Sequence, residues 1–151
     1  MKKYIITILI LIISTISYSQ PCKNFHEKKC YSFGYPFKYS QQSQDFELSA
    51  GKTTEFNVMV MAGYEYNFSL GFEKKLGNVS FKIANNLKTI VYYDSNDSKD
   101  APYDKQFIVD KTKKLKVIIT VPELNYNATA NTDSGCAGFL VEFAKQPKVG
   151  F

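Results

Sequence analysis

The chain has no arginine, no tryptophan and a single histidine, His26. Arginine makes the bidentate contacts to phosphates and base edges on which nucleic-acid recognition relies, so its absence argues against a nucleic-acid partner. A Ser-His-Asp or Cys-His catalytic arrangement would have to use His26 as its base. No catalytic motif accompanies that histidine. We therefore expect a protein that is not an enzyme and that holds no cofactor.

Only one long apolar run is present, and it lies at the start of the chain. Two lysines precede an apolar stretch over residues 4–13, and small residues precede a cleavage point between Ser19 and Gln20. This pattern is typical of a secretory signal peptide, and the run is shorter than the ~20 apolar residues that a membrane-spanning helix needs. We predict that residues 1–19 are a signal peptide and that the mature chain has no membrane span. We expect the mature protein in the periplasm, outside the cell or at the cell surface.

The charge of the mature chain is small. Without Lys2 and Lys3, the excess of 19 basic over 14 acidic residues falls to a formal charge of about +3. The remaining length is that of one domain. We predict an N-terminal cysteine-containing segment over residues 20–43 and a folded β-sandwich domain over residues 44–151.

Alternation of apolar and polar residues dominates the middle of the chain. From residue 64 to residue 72, one face carries Tyr64, Tyr66, Phe68, Leu70 and Phe72, and the other carries Glu65, Asn67, Ser69 and Gly71. A period of two is typical of a strand with one buried and one solvated face. Seven further strands are predicted, at residues 45–49, 56–60, 79–83, 89–93, 106–110, 115–121 and 138–143.

Short strands separated by turn residues favour a β-sandwich. Glycine and asparagine between the predicted strands supply the positive φ angles that tight connections need. No pattern of period 3.6 is sustained after residue 31, which argues against a parallel α/β fold. We predict an all-β fold, a single antiparallel β-sandwich that is jelly-roll-like with about eight strands. A short helix or loop is expected between Pro21 and Lys29.

Two resemblances rest on particular residues. The stretch 46–56, FELSAGKTTEF, is followed by an aromatic-rich strand and a later Tyr-Asp turn, and it resembles the opening of bacterial pre-peptidase C-terminal domains. The whole mature chain begins Gln-Pro-Cys-Lys-Asn-Phe-His and ends in Gly150-Phe151, and it is similar to small uncharacterised exported bacterial proteins. These resemblances imply a small exported β-sandwich and bring no catalytic activity with them.

The cysteines Cys22, Cys30 and Cys136 are odd in number, in a compartment that favours disulfides. We expect one disulfide and one free thiol, and we assign the disulfide to Cys22 and Cys30 because they close the shortest loop. A helix between them would separate their Cα atoms by about 12 Å, beyond the ~7 Å that a disulfide tolerates. Pairing of either one with Cys136 is therefore the alternative. A zinc site made of the three cysteines and His26 is a weaker hypothesis. The competing interpretation is that His26 is an ordinary surface residue.

Polar residues with oxygen-bearing side chains cluster between residues 94 and 104. Such side chains at alternating positions of a loop can bind calcium. The EF-hand pattern is not met, because Lys99 and Lys105 stand where that motif has its glycine and its bidentate acid. We keep the segment as a weak calcium candidate, against the alternative of a solvated connection; its ligands would be Asp94, Asn96, Asp97, Asp100 and Asp104.

These patterns favour an exported non-catalytic binding or structural module of the cell envelope, whose partner is an envelope protein or a glycan. The alternative is a small exported hydrolase, or an enzyme inhibitor or accessory protein. The hydrolase hypothesis predicts a pocket in which His26 meets an acid and a hydroxyl or thiol.

Overall fold

Two antiparallel sheets packed face to face form the fold. The computed structural model describes residues 22–97, 103–123 and 134–146. The predicted signal peptide at residues 1–19, its cleavage point between Ser19 and Gln20, and the dipeptide Gly150-Phe151 lie outside these residues. Within the described ranges, no helix is long and apolar enough to cross a membrane.

Strands dominate the secondary structure. Within the described residues, one α-helix, α1 (Phe25–Lys29), precedes all the strands, and a turn of 3-10 helix (Lys74–Leu76) lies between two of them. The strands are β1 (Lys38–Tyr39), β2 (Gln44–Ser49), β3 (Thr53–Val60), β4 (Tyr64–Phe72), β5 (Ser80–Asn85), β6 (Val91–Asp94), β7 (Asp104–Val109), β8 (Lys113–Thr120) and β9 (Ser134–Lys145).

The strand order is that of a jelly roll. β1 and β2 pair with successive parts of β9 on the same side, so they act as two pieces of one edge strand. The five-stranded sheet then runs β1 and β2, β9, β4, β7, and the four-stranded sheet runs β3, β8, β5, β6. With β1 and β2 counted together, the described strands make the eight-stranded double-sheet arrangement. The predicted antiparallel all-β sandwich is confirmed.

The hydrophobic core lies between the two sheets. Side chains at every second residue of a strand point to the same face, and these inward rows meet at the centre of the sandwich. On β4 the inward row includes Tyr66 and Phe68, which are fully buried, and on β8 it includes Leu115, Val117 and Ile119. The predicted apolar face of β4 is therefore its core face.

The outer face of β4 is also covered, and here the sequence pattern misled. Asn67, Ser69 and Gly71 were expected to face solvent, yet all three are buried. The N-terminal segment folds back over them: α1 packs against β4 and β9, and the backbone N–H of Tyr31 donates to Ser69 Oγ at 3.0 Å. A period of two reveals which residues share a face, but it does not reveal a distant segment that covers the polar one.

Candidate functional site

The disulfide joins Cys22 to Cys136, and the predicted Cys22–Cys30 pairing is wrong. The Cα atoms of the bonded pair are 5.3 Å apart, and 114 positions separate them in the chain. Helix α1 lies between Cys22 and Cys30 and keeps their thiols apart, as the spacing argument warned. Because two of the four proposed zinc ligands are consumed by this bond, the zinc hypothesis fails as well.

Cys30 is a free cysteine that is half-buried at the C-terminal end of α1. Its thiol donates a hydrogen bond to the Gly138 carbonyl at 3.1 Å. Burial in a poorly solvated environment raises the pKa of the Cys30 thiol to about 12. The group is therefore a neutral thiol at physiological pH, which argues against a role as a nucleophile.

His26 is buried rather than on the surface, so that expectation is also wrong. Only 6% of the residue is exposed. Its backbone N–H donates to Asp45 Oδ1 at 2.7 Å, and its ring Nδ1 lies 2.7 Å from the same oxygen. Its Nε2 lies 3.1 Å from the Tyr39 hydroxyl, and the two rings stack. His26 thus fastens α1 to β2 and β1.

The hydrolase hypothesis required His26 to meet an acid and a hydroxyl, and Asp45 and Tyr39 do supply both. Both ring nitrogens of His26 are engaged by these partners, and the groove between β6 and β7 is lined by other residues. The hydroxyl is the phenol of Tyr39, whose ring stacks on His26, and it is not the serine hydroxyl or cysteine thiol that such an arrangement uses as its nucleophile. The contacts of His26 are those of a structural anchor.

The calcium candidates are divided between the two sheets. On β6, Asp94 binds the Lys82 ammonium at 2.6 Å and accepts a hydrogen bond from the backbone N–H of Asn96. On β7, Asp104 belongs to the other sheet, where burial raises the pKa of its carboxyl group. Asp97 follows this Asp94 turn, and Asp100 lies outside the described residues. Calcium binding by this segment stays a prediction.

An exposed loop of aromatic residues is the feature that the sequence analysis missed. Residues 31–39, here called the aromatic loop, carry an aromatic side chain at every second position: Tyr31, Phe33, Tyr35, Phe37 and Tyr39. Four of these side chains are exposed, and Tyr35 at the tip is 99% exposed. The period-two aromatics could have drawn attention to the segment, but that pattern usually indicates a strand with a buried face.

A buried carboxylate holds the aromatic loop in place. Glu142 on β9 is only 4% exposed, yet it accepts three hydrogen bonds. The donors are the Ser32 hydroxyl at 2.6 Å, the Phe33 backbone N–H at 3.1 Å and the Asn67 side-chain amide at 3.1 Å. Bonds to a charged acceptor are among the stronger ones in proteins. These bonds therefore hold the loop in one conformation.

The tip of the loop is a tight turn. The Phe37 backbone N–H donates to the Gly34 carbonyl at 2.8 Å, and Gly34 has a φ of +67°, which favours glycine. Behind the tip, Phe33 packs on Tyr31 and Phe37, with ring centroids 5.2 and 5.6 Å apart. The tip thus projects Tyr35 from a base of packed rings.

We expect Glu142→Gln to loosen the aromatic loop while the sandwich stays folded. The glutamine NH₂ group faces either the Phe33 N–H and the Asn67 amide, which can only donate, or the Ser32 hydroxyl, which must then accept. In both orientations at least one donor loses its bond to residue 142. Such a loss costs about 1 to 3 kcal/mol. Hydrogen–deuterium exchange of the amides at residues 31–39 measures the effect.

Glu47→Gln is the matched control, because Glu47 is an exposed residue of β2 whose carboxylate accepts from Ser134. It should leave exchange in the aromatic loop unchanged. Unaltered loop exchange in the Glu142 variant would show that this carboxylate does not hold the loop.

A groove opens on the side of the sandwich where β6 and β7 form the facing edges of the two sheets. Its volume is about 170 Å³, and Ile83, Phe107 and Leu115 are among the apolar residues that line it. At its rim, the Lys105 ammonium lies 5.3 Å from the centre of the Tyr93 ring, and the Lys113 ammonium lies 4.4 Å from that of Tyr92.

Fold and surfaces together define a disulfide-linked jelly-roll sandwich with a fixed aromatic loop. No protein-family model and no curated protein sequence matches the chain. Among solved structures, the chain is similar to a periplasmic inhibitor of g-type lysozyme from Aeromonas hydrophila, with 11% identity and a TM-score of 0.48. The match covers 75% of this chain and 92% of that one. A likeness at this level says nothing about ligands or partners.

Proposed function

We propose that this protein is an exported, non-catalytic binding module of the cell envelope and that its aromatic loop binds a protein partner. The observation that carries the proposal is the complete exposure of Tyr35 on a loop fixed by Glu142. An aromatic ring that faces water contributes no burial of apolar surface to the stability of the fold. Large exposed aromatic clusters in soluble proteins commonly mark interaction sites.

The composition and rigidity of the aromatic loop support a binding role. Tyrosine supplies a large contact area at a low cost in side-chain entropy, and serine and glycine supply adaptable contacts, as in antibody loops. Here aromatic residues alternate with serine and glycine over residues 31–35. A loop that is already held in one conformation loses less entropy when it binds.

The shape of the loop favours a protein over a glycan. A sugar ring stacks best on a flat aromatic face, but Tyr31 meets Phe33 edge-on at 76° and Phe37 tilts from Phe33 by 47°, so these rings form no coplanar platform. Tyr35 projects beyond them. A projecting aromatic side chain fits a cleft on the partner, where buried aromatic anchors contribute most of the binding energy.

Export is supported by two independent features. The predicted signal peptide at residues 1–19 directs the chain out of the cytoplasm, and the Cys22–Cys136 disulfide is of a kind that persists in oxidising compartments. The partner is therefore sought in the envelope. An enzyme inhibitor is the special case in which the cleft that receives Tyr35 belongs to an envelope enzyme. The resemblance to pre-peptidase C-terminal domains stays a hypothesis.

The test is a pull-down from detergent-solubilised envelope with the wild-type chain, Tyr35→Ala and Tyr92→Ala. Tyr92 is an exposed tyrosine at the groove between β6 and β7, away from the loop, and serves as the control. We expect a captured protein that is lost with Tyr35→Ala and retained with Tyr92→Ala. Titration of the purified partner should then show affinity reduced roughly a hundredfold by Tyr35→Ala, the effect of removing a hot-spot aromatic.

Two results would contradict the proposal. One is equal capture by the wild type and Tyr35→Ala. The other is binding of the wild type to isolated, protein-free envelope polysaccharide that is lost with Tyr35→Ala, which would assign the loop to a glycan.

A further inference from the structure

The edge of β7 that faces away from β4 is a second surface with binding potential, separate from the aromatic loop. Among the described residues, β7 pairs only with β4 and ends its sheet. The Leu70 N–H donates to the Tyr103 carbonyl at 2.8 Å, and antiparallel bonds recur at every second residue. The odd-numbered residues of β7 therefore bond to β4. The backbone N–H and C=O groups that face away belong to Asp104, Gln106 and Ile108.

The edge strand of the other sheet, β6, is less suited to pairing with an added strand. β6 spans only Val91–Asp94, and its pairing with β5 is interrupted by a shift of register between Ile83 and Ala84. Short strands and bulges are the usual means by which proteins block the pairing of an edge with another chain. β7 is six residues long, is regular in its pairing with β4, and carries Ile108 with 57% of its surface exposed.

The groove beside β7 has room for one side chain. Its volume of about 170 Å³ is close to the ~150 Å³ of an apolar cavity that holds one benzene molecule. Phe107 of β7 and Ile83 and Leu115 of the opposite sheet line it. A strand added to β7 would direct every second side chain toward this groove. One phenylalanine, tyrosine or leucine side chain would fill the space.

The charge at the groove selects the flanking residues of such a strand. Lys105 and Lys113 line the groove with their ammonium groups over tyrosine rings, and no carboxylate of the described residues forms an ion pair with either. We propose that the β7 edge binds an extended acidic peptide segment of a partner by strand addition, with one apolar side chain in the groove between β6 and β7. Acidic residues beside that anchor would meet the two ammonium groups.

Inward-pointing lysines at a sheet edge also have a protective role, since they discourage pairing with other strands. Protection and recognition differ in what they predict. A purely protective lysine excludes every added strand. In that case an acidic peptide would bind neither the wild type nor Lys105→Glu. A recognising lysine admits acidic strands and rejects basic ones.

The experiment measures fluorescence anisotropy of three labelled peptides of about six residues, the length of a typical strand. The first peptide has glutamate at alternate positions and a phenylalanine at its centre. The second has lysine in place of each glutamate, and the third has alanine in place of the phenylalanine. We expect the first to bind the full chain and the other two to bind at least roughly tenfold more weakly, because each lacks one of the two matched features. Binding of the first should weaken as salt is raised.

Three variants locate the binding to the β7 edge. Lys105→Glu combined with Lys113→Glu should abolish binding of the acidic peptide, whereas Lys114→Glu, on the opposite face of β8, should not. Gln106→Pro removes an N–H that points away from β4, so the sheet should keep its stability and lose the peptide. Thermal unfolding of each variant shows whether it is folded. If Gln106→Pro is not folded, the variant with both groove lysines replaced still tests whether the peptide binds at the groove.

Binding that survives Gln106→Pro in a folded variant would overturn strand addition. Equal losses for Lys114→Glu and the groove lysines would overturn recognition at the groove. Failure of all three peptides to bind the wild type would also refute the proposal. Tyr35→Ala should leave the affinity for the acidic peptide unchanged, so this proposal and that for the aromatic loop stand or fall separately.

Discussion

Replacing Cys22 and Cys136 together by serine is expected to lower the free energy of unfolding by about 4 to 5 kcal/mol. The two cysteines are separated by 114 positions, so the bond closes a loop that includes almost the whole folded domain. On the chain-entropy account, a cross-link that closes ~100 residues stabilises by about 4.7 kcal/mol, because it restricts the unfolded chain. Equilibrium unfolding in urea, followed by circular dichroism, measures the loss. The same domain has a total stability on the order of 5 to 15 kcal/mol, so the variant should be marginally folded.

Cys30→Ser is the matched control for the disulfide variant. It changes one sulfur to oxygen at a half-buried position, and the serine hydroxyl can still donate to the Gly138 carbonyl. Because no cross-link is lost, we expect a cost of about 1 kcal/mol or less. A loss in Cys30→Ser as large as in the double variant would mean that the packing of the N-terminal segment, and not the covalent link, supplies the stability.

Gly138→Ala is expected to lift the N-terminal segment from the sheet and to cost about 2 to 3 kcal/mol, as overpacking of a well-packed site typically does. A Cβ atom at position 138 would lie 2.5 Å from the Cα atom of His26. The obstacle is helix backbone, which cannot rotate away as a side chain can. α1 must therefore shift, and the His26–Asp45 contact with it. Hydrogen exchange of amides at residues 22–39 should accelerate together with the drop in stability.

Gly135→Ala provides the control on the same strand. The three atoms nearest to its Cβ would belong to the Lys75, Leu76 and Glu73 side chains and none to backbone, so shifts of side chains relieve the contact without moving α1. We expect a smaller loss of stability and unchanged exchange at residues 22–39. If both variants expose the N-terminal segment equally, close contact at Gly138 is not what seats the helix.

Most of the sandwich was predictable because its strands carry their own pattern. β4 was predicted at residues 64–72 and is observed at Tyr64–Phe72, since nine residues of strict alternation leave little room for another register. The predicted strand at residues 138–143 is observed as Ser134–Lys145. Glycine and alanine near its start carry no alternation, so they gave no signal for its extension.

The candidate site was much harder to predict than the sheets. The aromatic loop depends on Glu142, which lies more than 100 positions from Ser32 and Phe33 in the chain. Nothing local distinguishes Glu142 from a solvated acid on a strand, because its burial results from the loop that covers it. The same holds for His26, whose partner Asp45 is 19 positions away.

By itself, the sequence determined the fold class, because strand periodicity and turn residues are local properties. It also predicted the export signal and a non-nucleic-acid role, which rest on composition and on the first residues alone. The tertiary structure decided which cysteines bond, which face of β4 is dry, and that five aromatic residues form an exposed loop. Those outcomes depend on where the N-terminal segment docks on β9 and β4, and the docking is set by long-range contacts at Gly138, Asp45 and Glu142.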